Sequence, residues 1–100
     1  ANLLRVSAGN IGYSFQNLVV SGVNTIKSAA GQLHTVIVNK AGTASTLDLY
    51  DNTAASGTII AKIDTSSLAQ GAKIYDANFA TGLTVSAAGT APADLTITYR

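Results

Sequence analysis

The chain has 100 residues, 11% of them charged, and a net charge of +1, against about 25% charged in an ordinary globular domain. That balance excludes a charged field able to steer nucleic acid or an anionic membrane surface. The absence of cysteine excludes disulfides and thiolate metal sites, and the length fits a single domain over residues 1–100 with one core.

Ala, Ser, Thr and Gly make up nearly half the chain, and all five carboxylates are Asp. A surface of small residues with few charges is weakly protected against self-association, which points to surface that a partner covers. The opening ANLLRVSAGN has no basic segment followed by an apolar one, so no signal peptide is expected. No apolar run approaches the ~20 residues that span a bilayer.

Short runs rich in Val, Ile, Leu, Thr and Tyr recur roughly every ten residues between Gly, Asn, Ser or Asp clusters, the spacing of a sandwich or small barrel. In chain order the predicted strands are residues 3–7 and 13–20 about the turn AGNIG, then 24–28 and 33–40 about AAGQ. Next come 46–50 and 58–64, and finally 73–79, 83–86 and 95–99. Between the sixth and seventh lies TSSLAQGAK (65–73), with a capping hydroxyl and a closing Gly, which is at most one helical turn. Pro92 falls in the loop GTAPAD, where its missing N–H costs no ladder bond. The expectation is an all-β, antiparallel β-sandwich, jelly-roll-like, of eight or nine short strands.

The hairpin TLDLYDNTAASGTIIAKID (46–64) is the most firmly specified element. Alternation puts Leu47 and Leu49 on one face, and Ile59, Ala61 and Ile63 on one face of the returning strand. Closure around Ala55 pairs Leu47 with Ile63, Leu49 with Ala61 and Asp48 with Lys62, the last an opposite-charge pair worth roughly 0.2–1 kcal/mol. A one-residue slip would turn every apolar residue outward.

The candidate chemistry is thin. His34 is the only histidine; a general base needs a nucleophile and an orienting group, so it reads as a strand-face residue making one hydrogen bond. Asp48 and Asp64 could approach each other as a glycosidase pair would, but Lys62 neutralises Asp48 and no aromatic sugar platform accompanies them. Asp51-Asn52 reads as turn chemistry, and DLYDNTAASG lacks the alternating carboxylates of a calcium loop. Phe15 and Phe79 are expected in the core, and Tyr13, Tyr50, Tyr75 and Tyr99 packed against cross-strand neighbours. The glycines of GNIG, SGV, AAG and ATG stand at turns with no phosphate loop among them. No cofactor, no metal and no catalytic residue is expected.

From residue 34 onward the chain resembles small structural proteins encoded in tailed-phage genomes. The pieces that carry the resemblance are VIVN (36–39), LYDNTAASGTIIA (49–61), YD (75–76) and FATGLTVSAAGTAPADLTITYR (79–100). They are strand and turn residues, with no site among them. The resemblance implies a virion component. At this size it is a capsid cement or decoration protein that binds the outer head surface, often as a trimer, through self-association and contacts with the major capsid protein. Other versions are tail or fibre modules, for which host glycan or receptor binding is the alternative. As contact loops we expect residues 51–57 (Asp51, Asn52, Thr53, Ala54, Ala55, Ser56, Gly57) and 89–93 (Gly89, Thr90, Ala91, Pro92, Ala93).

Overall fold

A computed structural model of the chain describes residues 12–19, 21–66 and 72–100. The predicted strand 3–7, its turn AGNIG up to residue 11, and the centre of the predicted helical turn lie outside the described residues; Ala72 and Lys73 already belong to a strand. The elements are β1 (Ser14–Leu18), β2 (Gly22–Lys27), β3 (Gly31–Lys40), β4 (Thr46–Asp51), β5 (Thr58–Asp64), β6 (Ala72–Phe79), β7 (Leu83–Ala88) and β8 (Asp94–Tyr99).

The strands form two antiparallel four-stranded sheets, ordered β1-β8-β3-β6 and β2-β7-β4-β5. Four of the pairings are nested: β4 with β5, β3 with β6, β2 with β7 and β1 with β8. The chain is therefore one long hairpin closed at 51–58 and rolled up, with β3–β8 and β4–β7 as the seams of the roll. This is jelly-roll order, and the fold is the expected all-β sandwich.

Period-two alternation decides which residues meet between the sheets. Leu18, Leu33, Val36, Val38, Phe79, Leu95 and Ile97 come from the first sheet, and Leu47, Leu49, Ile63, Leu83 and Val85 from the second. Ile26, Ile60, Ala61, Ala87, Tyr75 and Tyr99 pack against this cluster.

The hairpin register is Leu47 to Ile63, Asp48 to Lys62 and Leu49 to Ala61, as the alternation requires. Beyond Leu49 it shifts, so that Tyr50 faces Ile59 and Asp51 faces Thr58. Ile60 is the extra residue of a β-bulge. The shift reverses the parity of β5, so Ile60 packs on the core and Ile59 is exposed, correcting the expectation that Ile59 shares the buried face of Ala61 and Ile63. Asp48 and Lys62 are opposed across the ladder but form no ion pair.

At one end of the sandwich the β3–β4 connection is stitched to the β7–β8 connection. Thr43 N–H donates to Ala91 O at 2.9 Å, and Thr90 N–H donates to Thr43 O at 3.0 Å. Gly42 permits this approach, since a Cβ there would lie 2.4 Å from Ala91 O and 2.7 Å from Ala93 N. Beside it the buried hydroxyls of Ser45 and Thr65 bond to each other, Thr65 N–H donates to Ser45 O at 2.9 Å, and Gly42 N–H donates to Thr65 O at 3.0 Å.

Candidate functional site

The residues chosen from sequence as contact loops divide into anchors and exposed tips. Asp51 is an anchor: its carboxylate accepts N–H bonds from Ala80 at 3.0 Å, Thr81 at 2.9 Å and Gly82 at 3.4 Å, so it closes the β6–β7 turn. Those backbone donors, Ala80 and Thr81 foremost, hold its pKa below the usual carboxylate value. Asn52 binds its own loop, with Nδ2 donating to Ser56 O at 2.9 Å, while Asn52 O accepts the hydroxyl of buried Thr84 at 2.8 Å. Thr53, Ala54, Ser56 and Gly57 are exposed and Ala55 half-buried.

In the second loop Gly89, Thr90, Ala91 and Pro92 are exposed. Ala93 is a correction: it belongs to the core cluster, because the chain must turn inward there to begin β8, and it cannot be a contact residue.

His34 does form one hydrogen bond, Nδ1–H donating to Asp76 Oδ1 at 2.5 Å. The cause is local. His34 is unpaired at a register shift between Leu33 and Thr35 in the ladders with both β6 and β8. Across from it Asp76 adopts a positive φ of 47°, which Asp tolerates better than most side chains. Tyr13 stacks on the imidazole with ring centroids 4.0 Å apart, and the Arg100 guanidinium lies 4.7 Å from the centre of the tyrosine ring. The tyrosine ring is therefore engaged rather than open for stacking on a sugar. Among the described residues the one side chain bonded to His34 is Asp76.

Among the described residues no group of three His, Cys, Asp or Glu is placed to hold a metal ion, and no helix is long and apolar enough to cross a membrane. An open depression of about 310 Å³ lies over Thr46, Asp48, Lys62, Ile63 and Asp64. Asp64 bonds the N–H and hydroxyl of Ser66, which lowers its pKa, the hydroxyl being the larger cause. Its carboxylate is thereby committed to its own turn.

The feature that sequence reading missed is the outer face of the first sheet. Phe15, expected in the core, is 71% exposed. The register explains this: Leu18 is the residue of β1 that reaches the core, and Phe15 stands opposite Thr98, whose neighbours Ile97 and Tyr99 face inward. The line continues across the sheet, since Thr98 pairs with Thr35 and Thr35 with Ile74, which is 70% exposed. One row thus runs Phe15, Thr98, Thr35, Ile74 over all four strands, about 14 Å at the usual strand spacing. The two threonine hydroxyls at its centre bond each other at 2.5 Å and leave the row without a charge. The next row holds Asn17, Thr96, Ile37 and Ala72. Only the strand order reveals this alignment, because Phe15 and Ile74 are far apart in the chain.

No family model and no curated protein matches this chain.

Proposed function

We propose that this protein is a non-enzymatic virion structural protein of the capsid cement or decoration type, attached to the outer head surface of a tailed phage. The observation that carries the reading is the uncharged outer row of the first sheet, with Phe15 and Ile74 largely in solvent at its two ends. Fully burying side chains of this kind is worth about 1.5–3 kcal/mol each, so contact of that face with a shell has a driving force. Many such contacts repeated over a symmetric lattice hold well even when each is weak. The exposed residues Thr53, Ala54, Ser56 and Gly57 of the first loop and 89–92 of the second serve as rim contacts around it. The resemblance of residues 34–100 to phage structural proteins supports the same reading and implies the major capsid protein as the partner.

The test is immunogold labelling of intact phage particles from the source lysate with an antibody to this chain. Gold over the heads supports the proposal. Gold at the tail tip overturns it in favour of a tail or fibre module, and particles without label overturn both. In a reconstitution with shells stripped of the protein, Phe15→Lys and Ile74→Lys should each weaken binding while the fold persists.

A further inference from the structure

Asn17, Asn39, Asp94 and Thr96 form a polar cluster on the outer face of the first sheet, beside the row that begins at Phe15. Asn17 follows Phe15 on the same side of β1, about 7 Å along the strand, and stands opposite Thr96. Asn39 is left unpaired where the β3–β8 register shifts between Val38 and Lys40, and its amide reaches over β8. Asn17 Nδ2 donates to Asp94 Oδ1 at 2.7 Å and to Leu95 O at 2.8 Å. Asn39 Nδ2 donates to Asp94 Oδ1 at 3.2 Å and to Thr96 Oγ1 at 2.8 Å.

These bonds spend all four N–H groups of the two amides. They also fix the amides, since turning Asn17 over would set its oxygen against two atoms that only accept. Asn17 Oδ1, Asn39 Oδ1 and Asp94 Oδ2 are left, three acceptors to which no donor is bonded among the described residues. Lys40 stands opposite Asp94 in the ladder but forms no ion pair with it, and Thr96 keeps its hydroxyl proton. Asn17 and Asn39 are exposed and Asp94 half-buried.

We propose that this cluster is an arginine-binding site: the partner that covers the outer face of the first sheet lays an arginine across it, donating to Asp94 Oδ2 and the two amide oxygens, with the aliphatic stem against Phe15. The inference rests on the reading of that face as the shell contact and names the side chain the shell brings to it. The three acceptors lie on three separate side chains. A planar guanidinium offers five donors and no acceptor, which suits them better than the single point of a lysine ammonium. Saccharide hydroxyls accept as well as donate, and the amide donors they would use are spent. The carboxylate makes the contact a charge-assisted one, and the stem of an arginine covers apolar surface such as the exposed Phe15 ring.

The experiment is binding of the full chain to shells stripped of it, over a series of salt concentrations, with Asp94→Asn beside Asp48→Asn. Asp94→Asn keeps the shape but puts N–H donors where Oδ2 accepts. It should weaken binding about tenfold or more and flatten the salt dependence. Asp48→Asn makes the same change of charge on β4, in the other sheet, and should leave binding unchanged. Treating the shells with phenylglyoxal, which blocks arginine, should bring the unmodified chain down to the level of Asp94→Asn and leave that variant where it is. Lysine acetylation or periodate oxidation of the shells acting in its place would overturn the proposal. Arg5 lies outside the described residues. If it fills the cluster, Arg5→Gln and Asp94→Asn lower the melting temperature alike while shell binding fails to separate Asp94→Asn from Asp48→Asn, which also overturns the proposal. A chain that binds no shell overturns the shell reading and this inference together, whereas binding that Phe15→Lys weakens and Asp94→Asn does not overturns this inference alone.

Discussion

Replacing Thr65 by Val tests whether the buried hydroxyl pair fixes the end of the sandwich. Thr65 is fully buried and Ser45 nearly so, and the two side chains bond each other. Valine keeps the shape of threonine but leaves the buried Ser45 hydroxyl without its partner. An unsatisfied buried polar group costs about 1–3 kcal/mol. At the middle of that range the melting temperature of a domain this size should fall by roughly 8–16 °C. Ser45→Ala strands the Thr65 hydroxyl in turn. The double variant leaves neither partner behind, so it should lose less than the sum of the singles, with a coupling of about 0.5–3 kcal/mol. Urea unfolding of the four proteins supplies the numbers. Additivity within about 0.5 kcal/mol would refute the reasoning, because it would mean that each hydroxyl finds another partner when its present one is removed.

Two further outcomes are expected. The carboxylate of Asp51 is held below its ordinary pKa by the turn it closes, so the stability it contributes is complete above the unfolded-state value near ~3.9 and is lost as pH falls through the lower folded value. Asp51→Asn should therefore lower the melting temperature at neutral pH and flatten its decline below about pH 4; melting curves that stay parallel to the unmodified chain down to acid pH would contradict this. Gly42→Ala puts a methyl group against Ala91 O and Ala93 N, backbone atoms with no flexible end to give way. It should cost about 1–3 kcal/mol and free the amides of Thr43, Thr90 and Ala91 to exchange, whereas unchanged protection there would show that the stitch tolerates the group.

What was legible in the sequence is what alternation and nearby turns decide. The residues around 51–57 show how far that reaches: the pairs Leu47–Ile63 and Leu49–Ala61 follow from counting in twos, but the bulge at Ile60 has no residue signature and reverses the face of everything between it and the loop. Phe79 could be assigned to the core and Phe15 could not, because a five-residue edge strand offers little to show which of its faces is covered. That question is answered by β8, at the far end of the chain. His34 gave the type of contact but not the partner, since Asp76 reaches it only through the β3–β6 pairing. The outer row from Phe15 to Ile74 is a property of strand order, which local patterns do not encode. Asp51 read as a turn former and proved to close a different turn, through donors about thirty residues away.

The nesting of the four hairpin pairs has a consequence for how the chain reaches this state. Pairing β1 with β8 directly from the unfolded chain would bring Ser14 to Tyr99 across nearly the whole sequence, and loop closure of that length must be met before any contact repays it. If β4 and β5 meet first, each later pair has only a short span left to close, and the sandwich assembles like a zipper drawn from its middle. The folding rate should then respond to changes at 47–63 and hardly at all to changes in β1, which should act on unfolding instead. β1, in the outermost of the nested pairs, would be the last of the described strands to dock and the first to leave.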